Sequence, residues 1–410
     1  MIVGTITRCR ACDGPLGPVF CDLGRMPVAN AYPAHGSDPQ AEPRHPLRAV
    51  VCRDCRMVQL DHIVDPEEVF SDYAYFSSVS SSWVEHAARF AKEMTARLGL
   101  GADSLVIEAA SNDGYLLKHF VTAGIPCLGV EPAANVAEVA RAASVPTETA
   151  FLTEASAEAI LSRTGRPADL VVANNVLAHV PDVTGFANAL ARLLAPEGVL
   201  SIEAPHLLAL VDGVQFDTIY HEHYGYWSLL SVENLLARAG LTVFNVERLK
   251  THGGSLRILA GHAPRPASAW LSALRAEEAE RGLEDDAFYE SFQPRVEETL
   301  QGFRGWLAAK TDMGRRIGAY GAAAKGNTFL NAARVRAGHL LAVADMAPSK
   351  QGRRLPGTRV PIVHPAELLA MAPDDILILP WNIAPEIVAS LRNAGYRGGL
   401  WTAVPEMRRL

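Results

Sequence analysis

Short apolar runs, each followed by a small-residue turn and then by a stretch of helical period, recur through the middle and the end of the chain. The first clear run is Leu105-Val106-Ile107, with Glu108 at its carboxyl end and Ala109, Ala110, Ser111 and Gly114 in the turn behind it. A helix from about Trp83 to Leu98 leads into it, and a second run, Cys127-Leu128-Gly129-Val130, ends in Glu131. Asp169 to Ala173 predicts a later strand that runs into a loop holding Asn174, Asn175 and His179. Val199 to Glu203, opened by Gly198 and stopped by Ala204-Pro205-His206, predicts the next. Strand and helix in alternation imply a parallel α/β sheet, which takes its ligand at the carboxyl ends of its strands. From Pro264 to about Lys310 the pattern turns charged and helical. Then Ile317-Gly318-Ala319-Tyr320-Gly321 repeats the strand and glycine turn, and Leu340–Ala344 and Ile376–Leu379 predict further strands of a second, smaller sheet.

The first stretch of the chain has no such rhythm. It is rich in Pro and Gly and poor in core, but it carries Cys9-Arg10-Ala11-Cys12 and Cys52-Arg53-Asp54-Cys55, two C-x-x-C knuckles. Four thiolates close around one tetrahedral zinc and leave no open position, so Cys9, Cys12, Cys52 and Cys55 predict a structural metal that orders a segment unable to order itself. Cys21 and Cys127 read as buried small apolar side chains. The expected division is a zinc-binding module over 1–75, a cofactor domain over 76–263, a helical connector over 264–310 and a C-terminal α/β unit over 311–410. The fold class is α/β, with a small metal module and two Rossmann-like units.

Composition narrows the function. A formal net charge of −7 disfavours a protein that tracks nucleic-acid phosphates, and no apolar run approaches a membrane span. With no secretory pattern ahead of Cys9, a cytoplasmic protein is expected.

Chemistry gathers at the predicted sheet edges. The turn after Leu105 lacks the G-x-G-x-x-G pattern that lets a backbone press on a pyrophosphate, which favours S-adenosylmethionine over a dinucleotide. Acidic and carbonyl oxygens near Glu108, Asn112 and Asp113 suit the positive charges of that cofactor, and Glu131 stands where a first βαβ unit offers a carboxylate to a ribose. The small residues Ala110 and Gly114 allow close approach, and Asn174 and Asn175 would face the cofactor from the neighbouring strand end. The densest polar cluster is Tyr220-His221-Glu222-His223. Its H-E-H order does not set two imidazoles on one helical face, so a general base oriented by a phenol or carboxylate is the better reading than a metal site. His252 and Arg257, around Gly253 and Gly254, read first as a tight turn, with delivery of both side chains to the site as the alternative. In the C-terminal unit Gly318, Gly321 and Lys325 would hold a phosphate at a helix start.

With these residues in view the chain resembles the three-domain C-methyltransferases that act on nucleotide-linked 4-keto-deoxysugars in deoxysugar and antibiotic biosynthesis. The cysteine knuckles are similar to that family's zinc module, Glu108 to Gly114 to its S-adenosylmethionine site, and Tyr220-His221-Glu222-His223 to its catalytic stretch. The resemblance implies His223 as base, with Tyr220, Glu222, His179 and either Tyr73 or Tyr75 lining the sugar pocket. It further implies a C-terminal domain that binds the nucleotide of a TDP-linked substrate, with Gly321, Lys325, Asn327 and Asp345 as candidate contacts. Methylation is expected at carbon 3, with carbon 5 as the alternative. A rival reading is an NAD(P)-dependent nucleotide-sugar oxidoreductase that uses the Gly318 turn and an acid near Asp345. A third is a zinc-module protein that binds nucleic acid, which the acidic balance disfavours.

Overall fold

The computed structural model describes residues 3–33, 38, 41–65 and 76–410. Three larger sheets organise it. The central one has seven strands in the order Thr242–Leu249, Ser255–Gly261, Leu194–Pro205, Ala168–Asn174, Val106–Ala109, Cys127–Val130 and Thr147–Glu148. The last five of these run parallel to one another, while Ser255–Gly261 is antiparallel to both strands it touches. Chain order reverses on either side of Val106–Ala109, which makes its carboxyl end the switch point where open α/β sheets take ligands.

That strand is buried throughout, as a parallel strand covered on both faces must be. One face packs Phe90, Met94, Leu117 and Phe120, and the other Ile107, Val171, Phe186 and Leu190. The helix before it starts two residues earlier than its apolar period predicts, at Ser81–Leu98, because the Ser80 hydroxyl accepts the Trp83 amide at its N-terminus. Gly99, in the left-handed region at φ 63°, ends it.

The N-terminal residues form an antiparallel sheet of Leu16–Met26, His45–Cys52 and Val58–Leu60. Its fourth strand is Gly225–Tyr226, which comes from the middle of the chain, immediately after the Tyr220 to His223 cluster. The C-terminal sheet has six strands in the order Ile362–Val363, Val343–Ala344, Ile317–Tyr320, Asp375–Ile378, Gly399–Thr402 and Arg408–Arg409. Its switch point lies at the end of Ile317–Tyr320. The predicted strand over Leu340–Ala344 shortens to Val343–Ala344. The charged connector becomes the helices Ala269–Glu280, Asp286–Glu290 and Phe292–Asp312. One apolar core joins the N-terminal sheet, the loop before Tyr220 and the C-terminal unit through Phe20, Phe216, Phe292, Phe303 and Phe329. Phe20 stacks on Phe292 with ring centres 4.4 Å apart. No helix among the described residues is long and apolar enough to cross a membrane.

Candidate functional site

The two knuckles bring Cys9, Cys12, Cys52 and Cys55 together with all four sulfurs within 4.8 Å of one another. Cys9 and Cys55 Sγ are 3.5 Å apart and Cys12 and Cys52 Sγ 3.4 Å, close to the ~3.8 Å edge of a tetrahedron with Zn–S bonds of about 2.3 Å. The amides of Ala11, Gly14 and Asp54 point at the sulfurs and would steady the thiolate charge. The donor set fits a four-thiolate zinc site. Cys21 and Cys127 are buried apart from it.

At the central switch point Ala110, Asn112 and Gly114 all take positive φ, of 53°, 50° and 77°, so the turn curls tightly around the end of its strand. A Cβ on Gly114 would lie 2.9 Å from Val145 Cγ2, which is why glycine is needed there. Glu131 accepts the Asn112 amide on Oε2 and the Ala133 amide on Oε1, at 2.9 and 2.8 Å. The Asn112 and Asp113 side chains accept the amides of Ser77 and Ser78 at 2.9 and 3.0 Å, which lays the Ser77–Val79 turn across the site. Burial raises the Glu108 carboxyl well above the usual range, with Glu131, Asp113 and Glu203 adding like charge. Glu108 Oε2, Asp113 Oδ1 and Asn174 Oδ1 are buried without a hydrogen-bond partner, as are both amide atoms of Asn175. Such a wall of unpartnered polar atoms, four of them acceptor oxygens, suits a cofactor with ammonium and sulfonium charges, so these residues fit S-adenosylmethionine.

The strand end at Glu203 lies beside this wall. Its carboxylate accepts Arg257 Nε and meets His86 Nε2, both at 2.8 Å. His206 turns away and bonds Glu278 at 2.8 Å, an internal contact that caps the helix Leu229–Arg238 through the Leu229 and Leu230 amides.

The predicted catalytic stretch forms a compact set. His223 Nδ1 lies 2.8 Å from the Thr218 carbonyl, which can only accept, so Nδ1 carries the proton. Nε2 is then a bare lone pair, and the Tyr220 hydroxyl donates to it at 2.7 Å. His179 is fixed in the same way, with Nδ1 donating to the Glu222 carbonyl at 2.8 Å, and its ring stands 4.7 Å from that of His223. Burial holds both imidazoles below the ordinary histidine range, His223 well below it with His179 adding to the effect. Both are neutral at neutral pH. Glu222 is buried, accepts the Asn30 amide at 3.0 Å and is pushed up by burial to about 7. His221 faces the opposite way, with its ring 5.8 Å from His45 against the N-terminal sheet. Tyr73 and Tyr75 lie outside the described residues.

From the C-terminal unit, Lys325 reaches toward this set. Its Nζ bonds Asn382 Oδ1 at 3.1 Å and sits 4.7 Å from the centre of the Trp381 ring. The Trp381 indole donates to Asp217 Oδ2 at 2.7 Å. Burial lowers the lysine, Asp217 opposes that, and the lysine's charge in turn helps to depress His223. Gly321 has φ 97° and packs so closely on Pro380 that a Cβ would lie 2.3 Å from its ring. Asp345 accepts the Ala322 and Ala347 amides at 2.8 Å each and so braces the glycine turn. Asn327 is buried, with its amide on the Ala29 carbonyl at 3.2 Å.

Other site residues were marked weakly in the sequence or not at all. His252, first read as part of a turn, holds a left-handed φ of 55° and stands 5.1 Å from the Trp83 ring, on the cleft side of the central sheet. Trp83 also stacks on His86 and Tyr115. Asn30 and Arg10 have no local signal at all, since their partners are remote in sequence.

Known methyltransferases are similar to this chain over its length. Family models match over residues 9–70, described as "Putative zinc binding domain", over 83–246, a methyltransferase domain, and over 250–405, a C-methyltransferase C-terminal domain. The C-methyltransferase NovU of Streptomyces niveus is 35% identical over 413 residues, spanning 99% of this chain and 97% of that protein. Among solved structures, the magnesium protoporphyrin IX methyltransferase of Synechocystis PCC 6803 with bound SAH aligns over 48% of this chain and 92% of its own, at 16% identity and a TM-score of 0.36. The 1,6-didemethyltoxoflavin-N1-methyltransferase of Burkholderia thailandensis aligns over 52% of this chain and 97% of its own, at 18% identity and a TM-score of 0.36. The C-methyltransferase family models and the full-length relative leave the oxidoreductase reading without support. Full-length identity to NovU, together with the domain models in this order, shows that the chain belongs to the C-methyltransferase family.

Proposed function

We propose that this chain methylates the carbon beside the ketone of a TDP-linked 4-keto-deoxysugar, carbon 3 ahead of carbon 5, in the cytoplasm. The observation that carries the reading is a neutral His223 whose bare Nε2 is paired with the Tyr220 phenol. S-adenosylmethionine, when bound by Glu108, Asn112, Asp113, Glu131, Asn174 and Asn175, supplies an electrophilic methyl group.

The protein's own residues must then make the sugar carbon a nucleophile. His223 Nε2 takes the proton from the carbon next to the ketone, and its electron pair becomes the enolate. Burial disfavours the imidazolium, but the enolate forms beside it, so the new charge pair offsets that penalty. Tyr220 is the donor next to the base: when the sugar enters, its single O–H turns from Nε2 to the ketone oxygen on which charge develops, which frees the Nε2 lone pair for the substrate proton. Nδ1 stays on the Thr218 carbonyl throughout and keeps the ring from turning. His179, fixed by the Glu222 carbonyl, crowds the same face and would line the sugar pocket with Glu222. A base so placed is worth about 10²–10⁴ in rate. Lys325, with Gly321, Asn327 and Asp345 shaping the turn beneath it, would meet the phosphates of the nucleotide.

The test is mass spectrometry of the sugar after incubation with both substrates, for the wild type and for His223→Asn. Methyl gain in the wild type and none in the variant supports the reading. Equal gain in both removes His223 from the base role.

A further inference from the structure

The knuckle Cys9-Arg10-Ala11-Cys12 does more than hold a metal. We propose that Arg10 is a positioning residue that ties the zinc-binding knuckle to the two loops carrying His179 and His223 and keeps both imidazoles in register. The proposal rests on the catalytic reading of those histidines given above.

Arg10 is 8% exposed, an unusual position for a guanidinium. Its Nη1 donates to the carbonyls of Val180 and Pro181, both at 2.9 Å, and its Nη2 donates to the carbonyl of Tyr224. Val180 is the residue after His179, and Tyr224 is the residue after His223. One planar fork therefore spans both catalytic loops, which also meet directly where the Tyr224 amide bonds the Ala178 carbonyl at 2.7 Å. The arginine's own backbone is fixed from two sides. Its amide donates to Gln59 Oε1 at 3.0 Å, while Gln59 Nε2 donates to Cys9 Sγ at 3.1 Å. Its carbonyl accepts the Thr184 hydroxyl at 2.9 Å.

The second knuckle supplies an internal control. Arg53 holds the matching place between Cys52 and Cys55, yet it lies on the surface and pairs with Asp286 at 2.7 Å. An arginine after the first cysteine is thus not required to build a knuckle. Burying a guanidinium is costly unless its donors are met, and here Nη1 and Nη2 are met by the carbonyls of the catalytic loops while Nε is buried without a partner. A lysine ammonium is a point charge that cannot span the same carbonyls. Displacing a catalytic group by about 1 Å is enough to lose roughly 10²-fold in rate.

The experiment uses the full chain carrying one zinc, with histidines labelled in the ring nitrogens, and compares wild type with Arg10→Lys and with Arg53→Met. Zinc content, S-adenosylmethionine affinity, kcat, KM and the imidazole nitrogen signals are read, with His179→Asn and His223→Asn assigning the signals. For Arg10→Lys the expected result is unchanged zinc and cofactor binding, kcat lower by about 10–100-fold with KM within about threefold, and loss of the Nδ1-protonated signatures of His179 and His223 before any substrate is added. Arg53→Met is expected to match the wild type. Imidazole signals and kcat within about twofold of wild type in Arg10→Lys would overturn the proposal. A second measurement needs no variant: stripping zinc from the wild type should disturb the same two imidazole signals, and their persistence in the metal-free chain also overturns it. Should His223→Asn retain full methyl transfer, the catalytic reading fails, while the nitrogen signals still decide the role of Arg10.

Discussion

Tyr220→Phe is the most informative single change because it removes one oxygen and leaves the rest of the site in place. The ring stays against His223, whose centre lies 3.9 Å away, and His223 Nδ1 keeps its 2.8 Å bond to the Thr218 carbonyl. The base therefore holds its tautomer and orientation. What disappears is the hydroxyl 2.7 Å from Nε2, the donor assigned to the enolate oxygen. Stability should fall by only about 0.5–1.5 kcal/mol, the net worth of one hydrogen bond. Loss of one donor to a developing oxyanion costs about 10²–10³ in kcat, or roughly 2.7–4 kcal/mol. The assay follows two rates by mass spectrometry, deuterium entry from D2O at the carbon beside the ketone and methyl gain on the same sugar. Because the enolate precedes methyl transfer, both rates should drop together, with KM within about threefold. A variant within threefold of wild type in both would remove the phenol from the mechanism. Intact exchange with lost methyl gain would assign Tyr220 to orientation rather than to the enolate oxygen.

Glu222 gives a prediction on stability and pH. Its buried carboxyl titrates at about 7 in the folded chain against 4.5 as the ordinary value, so its stabilising contribution is full below about 4.5 and is lost as pH rises through 7. The loss amounts to about 3 kcal/mol, and Glu222→Gln should therefore gain on wild type between denaturation series run at pH 5 and pH 8. A difference that does not move with pH would contradict this. Trp381→Phe should destabilise by about 1–3 kcal/mol, since it strips the buried Asp217 carboxylate of its 2.7 Å donor. Adding Asp217→Asn to that variant should cost less than it does in the wild type, a coupling that a double-mutant cycle of denaturation midpoints would read. Chelating the zinc should unravel the N-terminal sheet and release Gly225–Tyr226 from its edge, seen as faster amide exchange at Tyr226. Unchanged exchange in metal-free protein would detach the sheet from the metal.

What the sequence displays is what local chemistry requires. The apolar run before Glu108 and the small-residue turn after it specify a strand and a switch-point turn wherever they occur, and two C-x-x-C knuckles specify a thiolate cluster. Helix Ser81–Leu98 is visible from its period, and only its serine cap shifts the start. Long-range partners have no such signature. Nothing in Gly225-Tyr226 marks it as an edge strand of the N-terminal sheet, because two residues carry no periodicity and the pairing joins positions far apart in the chain. Asp345 looks the same in sequence whether it meets a ribose or braces a turn, and the structure uses it to hold the Ala322 and Ala347 amides. His252 was legible only as an alternative, since the two glycines beside it suggest a turn before they suggest a ring set edge-on to Trp83. Within one tetrapeptide, His221 and His223 diverge because the chain bends between them, sending one to His45 and the other to Tyr220.

The central claim is methyl transfer to an enolised sugar carbon. Its most direct test is high-resolution mass spectrometry of the purified chain incubated with S-adenosylmethionine and a panel of TDP-linked 4-keto-deoxysugars in deuterated water. The account predicts a gain of one methyl group on one of these sugars, carried on carbon 3 or carbon 5, that falls by at least about 10²-fold in His223→Asn. Methyl gain on oxygen or nitrogen, or gain on carbon that survives in His223→Asn, would contradict it.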